Sequence, residues 1–248
     1  SPRIAQLMKT HRDEIEESVS DRVFSALGTG FHNIMENAVG DNAITEERVF
    51  LDHPSGLRVS GAIDLQIEKE DGTTILVDYK VTGVYGVILN KKNGGVKPEW
   101  EKQLNSYRYL LQRAKDIKVS ELYILTMLRD WKASEVGKPD YPDAPIMQIP
   151  VPLWSWEDTD ERISLHREAS YSSLIGEELP LCTSDEMWER PEKFAVMKSS
   201  THKRASRLLD SMEEAIEWAA DPTNGMDSKH VIEHRQGKRV RCEDWCKV

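Results

Sequence analysis

Between Glu46 and Val81 the chain reads three times as a strand: "EERVFLD" at 46–52, "LRVSGAIDLQIE" at 57–68 and "TTILVDYKV" at 73–81. Pro54-Ser55-Gly56 separates the first two runs and Asp71-Gly72 the last two. Both breaks are turn chemistry, so the spacing predicts an antiparallel meander. Around it the pattern changes. From Arg3 to about Val39, Ile4, Leu7, Met8, Ile15, Val19, Val23 and Leu27 recur at helical spacing, with a break expected at "GTG" and a second short helix holding His32.

After the meander, Gly83 to Gly95 reads as a glycine- and lysine-containing loop, followed by a helix from about Pro98 to Lys115. "LYILTML" at 122–128 is apolar on both faces and predicts a central strand. A proline-rich stretch at 139–152 is expected to cross the surface, and Ser155 to cap a helix ending near Gly176. The fold class is therefore α/β, a central mixed sheet with an antiparallel meander flanked by helices. Residues 1–178 are expected to form this core with its N-terminal helical region. Residues 179–248 read as a small C-terminal α+β appendage: a hairpin of "KFAVMKS" and "KRASRLL", the helix "MEEAIEWAA", and a second hairpin turning at Gln236-Gly237.

At 248 residues and 39% hydrophobic the chain can bury one sizeable core and a small appendage. No apolar run approaches the roughly 20 residues of a membrane span, so a soluble protein with no membrane partner is expected. The net charge of −10 means that binding to a polyanion must come from a local basic surface. Lys91, Lys92 and Lys97, with Lys203, Arg204, Arg207, Arg235, Lys238, Arg239 and Arg241, are the candidates. Cysteines stand only at 182, 242 and 246, too few for a disulfide framework, and a reducing cytoplasm is the default. The chain begins Ser-Pro with no signal-peptide pattern, and neither end is taken as natural.

Strand alternation places Leu57, Val59, Gly61, Ile63, Leu65 and Ile67 on one face and Asp64 on the opposite, polar one. In "ILVDYKVTG" Asp78 and Lys80 share a face, and pairing through Asp71-Gly72 brings Asp64 toward them. Two carboxylates and an ammonium then converge. A divalent cation lets both carboxylates stay ionised, and Mg²⁺ or Mn²⁺ prefers such oxygen ligands. The lysine can hold a water or stabilise charge on phosphate, which is the chemistry of phosphodiester hydrolysis. An isolated Asp-x-Lys is more often a salt bridge on a solvated face, so further residues are needed. "QLNSY" supplies Gln103 and Tyr107 one helical turn apart, a carboxamide and a phenol able to orient a phosphate or a base.

In this set the chain resembles the PD-(D/E)XK nuclease superfamily, in its RecB-like exonuclease branch, which includes phage exonucleases and the CRISPR-adaptation nucleases. The ordered motifs are "GTGFH" ending at His32, "GAID" at 61–64, "DYK" at 78–80 and "QLNSY" at 103–107. The resemblance implies a restriction-endonuclease-like core. It also implies that His32, Asp64, Asp78 and the Tyr79 carbonyl hold Mg²⁺ or Mn²⁺, that Lys80 positions the attacking water, and that Gln103 and Tyr107 hold DNA. Ile63 stands where the superfamily often has proline, as is usual in this branch.

Related nucleases bind a [4Fe-4S] cluster through C-terminal cysteines and one cysteine upstream of the histidine. Here no cysteine precedes His32, so that cluster, or a Zn²⁺ site using His230 or His234, is disfavoured against ordinary buried thiols. Trp131 and Trp188 are candidates for stacking on bases, with core packing as the commoner use of tryptophan. The reading is a Mg²⁺/Mn²⁺-dependent DNase, an exonuclease or single-strand-specific enzyme acting on single strands or DNA ends, alongside recombination or replication proteins in a prokaryotic or phage-infected cell. The rival is a non-catalytic DNA- or protein-binding subunit, which has no evident need for Asp64, Asp78 and Lys80 together.

Overall fold

The three strand-like runs form the first three strands of a five-stranded sheet in a computed structural model that describes every residue except 17, 18, 41, 42, 53–55, 57, 93–95, 175–179 and 248. β1 (Ala43–Asp52), β2 (Arg58–Glu68) and β3 (Thr74–Thr82) make the antiparallel meander. β3 then pairs in parallel with β4 (Val119–Leu128), and β4 pairs antiparallel with β5 (Ile146–Val151). A parallel pair needs a long crossover, and α3 (Val84–Lys92) with α4 (Pro98–Lys115) provides it. The mixed sheet flanked by helices is the expected class.

Helices cover both faces. Leu104, Leu110 and Leu111 of α4 pack with Val49, Ile63, Leu76, Leu122 and Ile124 in the larger core. On the other face Phe31, from α2 (Val19–Glu36), packs with Leu65, Val77 and Tyr79. Each such buried side chain contributes about 1.5–3 kcal/mol relative to exposure. α5 (Trp156–Leu174) begins at Ser155, whose Oγ accepts the Asp158 N–H at 3.0 Å, and Asp160 in its first turns accepts the Tyr109 hydroxyl at 3.0 Å.

Several local expectations fail for physical reasons. α2 runs unbroken through Gly28-Thr29-Gly30, because two helical glycines cost only about 1 kcal/mol each and Phe31 is anchored in the core. The expected loop after Gly83 is helix α3, with Val84 and Val87 buried in the core and the Val84 N–H capped by Asp130 Oδ1 at 2.7 Å. The proline-rich stretch contains β5, where Pro150 is tolerated because β5 is an edge strand.

The chain divides into two compact units, residues 16–175 and residues 1–15 with 176–248. Periodicity groups the first helix with the sheet, whereas α1 (Pro2–Thr10) belongs to the second unit. Here α6 (Ser184–Met187) has a Thr183/Glu186 capping box. β7 (Lys193–Met197) pairs with β8 (Arg207–Leu209), the expected first hairpin, and α7 (Met212–Ala220) packs Ala215 and Ala219 against Val196. The second hairpin does not form: β9 (Val231–Arg235) joins β7, while β10 (Lys238–Arg239) pairs with β6 (Glu189–Arg190) ahead of α8 (Val240–Asp244). Gly237 passes so close to the Arg190 carbonyl oxygen that a Cβ would stand 3.0 Å from it. Among the described residues no helix is long and apolar enough to cross a membrane.

Candidate functional site

Residue pairing between β2 and β3 runs only from Glu68↔Thr74 to Leu65↔Val77. Beyond it, the Asp64 carboxylate takes the place of a strand partner: Oδ2 accepts the Tyr79 N–H at 2.7 Å. The alternation of β2 also changes phase here. Val59 and Ile63 face the α4 core, yet Leu65 and Ile67 face the α2 core. Opposite this point on β1, Glu46 has a left-handed backbone, φ 50°. Asp64 is therefore not on a solvated polar face as alternation suggested, but 6% exposed between the two cores.

Asp78, on β3, is 1% exposed. Lys80 Nζ lies 2.6 Å from its Oδ2, an ion pair without hydrogen-bond alignment, and Gln103 Nε2 donates to Oδ1 at 3.0 Å. Gln103 Nε2 also reaches Tyr107 Oη at 2.7 Å, so α4 delivers its carboxamide and phenol to the same place as the β3 carboxylate. From α2, His32 lies edge-on to the Tyr79 ring and its Nε2 is 3.1 Å from the Tyr79 carbonyl oxygen. His32 Nδ1 is 3.4 Å from Glu46 Oε1 and 3.6 Å from Asp64 Oδ1.

Burial, then the neighbouring Asp78 charge, raises the Asp64 pKa from 3.8 to about 6, against the Tyr79 N–H, His32 and Lys80. Burial likewise pushes Asp78 up, opposed chiefly by Lys80. Two buried carboxylates thus lie beside one ammonium. Tyr79's phenol, buried on the α2 side with no hydrogen-bond partner among the described residues, is raised to about 12 by burial.

His32, Glu46 and Asp64 each offer a ligand atom, all within 4.8 Å of one another. With a hydrogen on Nε2 toward the Tyr79 carbonyl, His32 turns Nδ1 toward two carboxylate oxygens, those of Glu46 and Asp64. A proton on Nδ1 or a metal cation among these atoms lets the two carboxylates stay ionised. One imidazole nitrogen with carboxylate oxygens suits a divalent cation. The donor set therefore fits a divalent metal, with Glu46 in the cluster where the sequence suggested Asp78 and the Tyr79 carbonyl. Glu46 escaped the sequence reading: it stands in a break of the β1–β2 register, between Thr45 paired with Leu65 and Glu47 paired with Ile63.

Other candidates stand elsewhere. Lys91 and Lys92 end α3, but their side chains lie outside the described residues. Lys97 sits over the Trp100 ring at 4.8 Å. In the second unit Arg235, Lys238 and Arg239 are matched by Glu233, Asp244 and Glu189. Trp131 packs against the larger core and donates to the Pro142 carbonyl at 2.9 Å, whereas Trp188 is half exposed, edge-to-face with Trp245. The cysteines are not the buried thiols expected: Cys242 is exposed, Cys182 and Cys246 are partly so, and none is in a disulfide. His230 and His234 bond the Asp227 carbonyl and Glu192.

Solved structures similar to this chain include the crystal structure of SSO0001, 17% identical with a TM-score of 0.45, matching 72% of this chain and 73% of that one. Another is an alkaline exonuclease (LHK-Exo) from Laribacter hongkongensis, 16% identical with a TM-score of 0.36, matching 69% and 75%. No curated protein matches. The family model of the PD-(D/E)XK nuclease superfamily matches residues 3–248, nearly the whole chain, and the chain belongs to that superfamily.

Proposed function

We propose that this chain is a divalent-metal-dependent deoxyribonuclease, an exonuclease or single-strand-specific DNase serving replication, recombination or repair. The observation that carries the reading is the convergence of buried Asp64 and Asp78 with Lys80, Gln103 and Tyr107 at the point where β2 and β3 part.

A bound Mg²⁺ or Mn²⁺ supplies Lewis acidity and an activated water. His32, Glu46 and Asp64 would hold it, with Asp78 and the Tyr79 carbonyl beside them. Lys80 brings a positive charge to the phosphate as charge grows on it, and Asp78 fixes the ammonium in place. In the reaction water oxygen bonds to phosphorus, the P–O ester bond breaks, and the leaving oxygen takes a proton. Gln103 spends its N–H groups on Asp78 and Tyr107. Because Tyr107 Oη accepts from Gln103, its own O–H is left to donate to a phosphate oxygen. Such backbone contacts hold a strand without reading its sequence.

The test is degradation of single- and double-stranded oligonucleotides labelled at one end or the other, with Mg²⁺, Mn²⁺ or chelator. Metal-dependent release of short products from an end, lost in Asp64→Ala and Asp78→Ala, is the expected result. Undiminished cleavage in chelator would overturn the metal dependence, and equal cutting of linear and circular single strands would exclude the exonuclease form.

A further inference from the structure

A cavity of about 850 Å³ opens at the C-terminal end of α4 and shares no lining residue with the carboxylate site. Four cations line it, Arg108, Arg113, Lys115 and Lys118, against one carboxylate, Asp116, with the Trp156 indole alongside. In a chain of net charge −10 this is a local reversal of sign. Two of the cations are matched: Arg113 lies 3.3 Å from Asp160, and Lys115 pairs with Glu47.

Arg108 is not. It is only 9% exposed; Nη1 donates to the Trp154 carbonyl at 2.8 Å and Cζ sits 4.2 Å from the Trp156 ring centroid. Nε is buried with no acceptor, and among the described residues no carboxylate lies within ion-pair distance of the guanidinium. Burial lowers the Arg108 pKa with no neighbouring anion to oppose it. The carbonyl and the ring compensate part of the desolvation, but neither neutralises the charge. A buried guanidinium in that state, on the wall of a cavity that also presents Lys118, lacks one component: an anion.

We propose that this cavity binds a phosphate group, held by Arg108 together with Arg113 and Lys118. A planar guanidinium matches two oxygens of a phosphate, and cations converging from several sides suit its multiple oxygens better than a carboxylate's two. The volume exceeds that of a bare ion and leaves room for what the phosphate is attached to. Two sources share this chemistry, a free mononucleotide and a phosphate of a bound strand. The second is within reach, since Lys115 lies eight residues beyond Tyr107 on α4, about 12 Å along its axis. The site does not depend on the nuclease reading.

Calorimetric titration of the full chain in chelator, with inorganic phosphate, a 5′-deoxymononucleotide and a short single-stranded oligonucleotide, tests it. Saturable binding is expected, weakened about tenfold or more in Arg108→Gln and in the exposed pair Arg113→Gln/Lys118→Gln. Binding of phosphate and mononucleotide identifies the free ligand; binding of the oligonucleotide alone identifies the strand. If Arg108→Gln melts early, the exposed pair decides. No binding by the unaltered chain up to about 10 mM overturns the proposal. So does binding that survives the cavity substitutions.

Discussion

The Tyr107 ring lies against the bare backbone of Gly61: a Cβ there would stand 2.6 Å from Tyr107 Cε1 and 2.8 Å from Cδ1. The absence of a side chain on β2 is what lets the Tyr107 ring, and with it α4, lie this close to the sheet whose β3 carries Asp78, the partner of Gln103. Gly61→Ala should displace the ring, costing about 1–3 kcal/mol in stability and slowing cleavage. In a Tyr107→Ala background the same change should cost far less. Equal costs in the two melting series would show that the ring contact is not the cause.

Glu46 adds a carboxylate to His32 and Asp64, and its charge also raises the Asp78 pKa. Glu46→Gln should therefore weaken Mn²⁺ binding by at least the roughly tenfold that even an outer-shell partner is worth, while leaving the metal-free chain as stable or slightly more so. Titration calorimetry and melting in chelator measure both. Unchanged Mn²⁺ affinity would remove Glu46 from the metal site.

Much of this site was legible because its motifs sit on regular elements with fixed periods. Asp78 and Lys80 are two apart on β3, and Gln103 and Tyr107 four apart on α4, so spacing alone put each pair on one face. Asp64 was singled out but given the wrong surroundings: alternation assumes an uninterrupted ladder, and β2 changes phase beside it. Glu46 was lost for the same reason, since a left-handed residue in a strand leaves no periodic signal. The pairing of β10 with β6 was invisible because two-residue strands carry no pattern, and Gln236-Gly237 resembles a hairpin turn whichever strand follows.

Lys80 is the ammonium paired with Asp78, whose side chain is 1% exposed. Lys80→Met leaves a buried carboxylate held only by Gln103, and a cost of about 3 kcal/mol is expected, with the Asp78 pKa rising further. Adding Asp78→Asn should recover most of that stability. Cleavage should fall by several orders of magnitude in Lys80→Met with Mn²⁺ binding retained, because the lysine acts on the transition state. Joint loss of binding and cleavage would contradict that division.

Asp64 gives the metal-free chain a pH signature. Its pKa in the folded chain, about 6, is above its ordinary 3.8, so the folded state holds the proton more tightly than the unfolded one. That contribution is complete below about pH 4 and is lost as pH rises through about 6, a decrease of roughly 3 kcal/mol from this group. Stabilisation by Mn²⁺ must run the opposite way, since a metal needs the carboxylate. Melting temperatures in chelator from about pH 4 to pH 7.5 should fall more steeply for the unaltered chain than for Asp64→Asn. Parallel curves would mean that Asp64 titrates normally.

Tyr107→Phe removes one hydroxyl and keeps the ring that packs on Gly61. Gln103 Nε2 loses an acceptor at 2.7 Å but keeps Asp78, so the amide stays oriented. If the phenol donates to a phosphate oxygen, kcat/KM should drop by a factor corresponding to about 1–3 kcal/mol, with Tm little changed. Tyr107→Ala also removes the ring and should lose stability as well. The two roles separate in the pair of variants: a ring that only fills space predicts near-normal cleavage for Phe and a clear fall in Tm for Ala. Steady-state kinetics on Tyr107→Phe, with its melting curve beside them, therefore tests whether the hydroxyl touches the substrate strand.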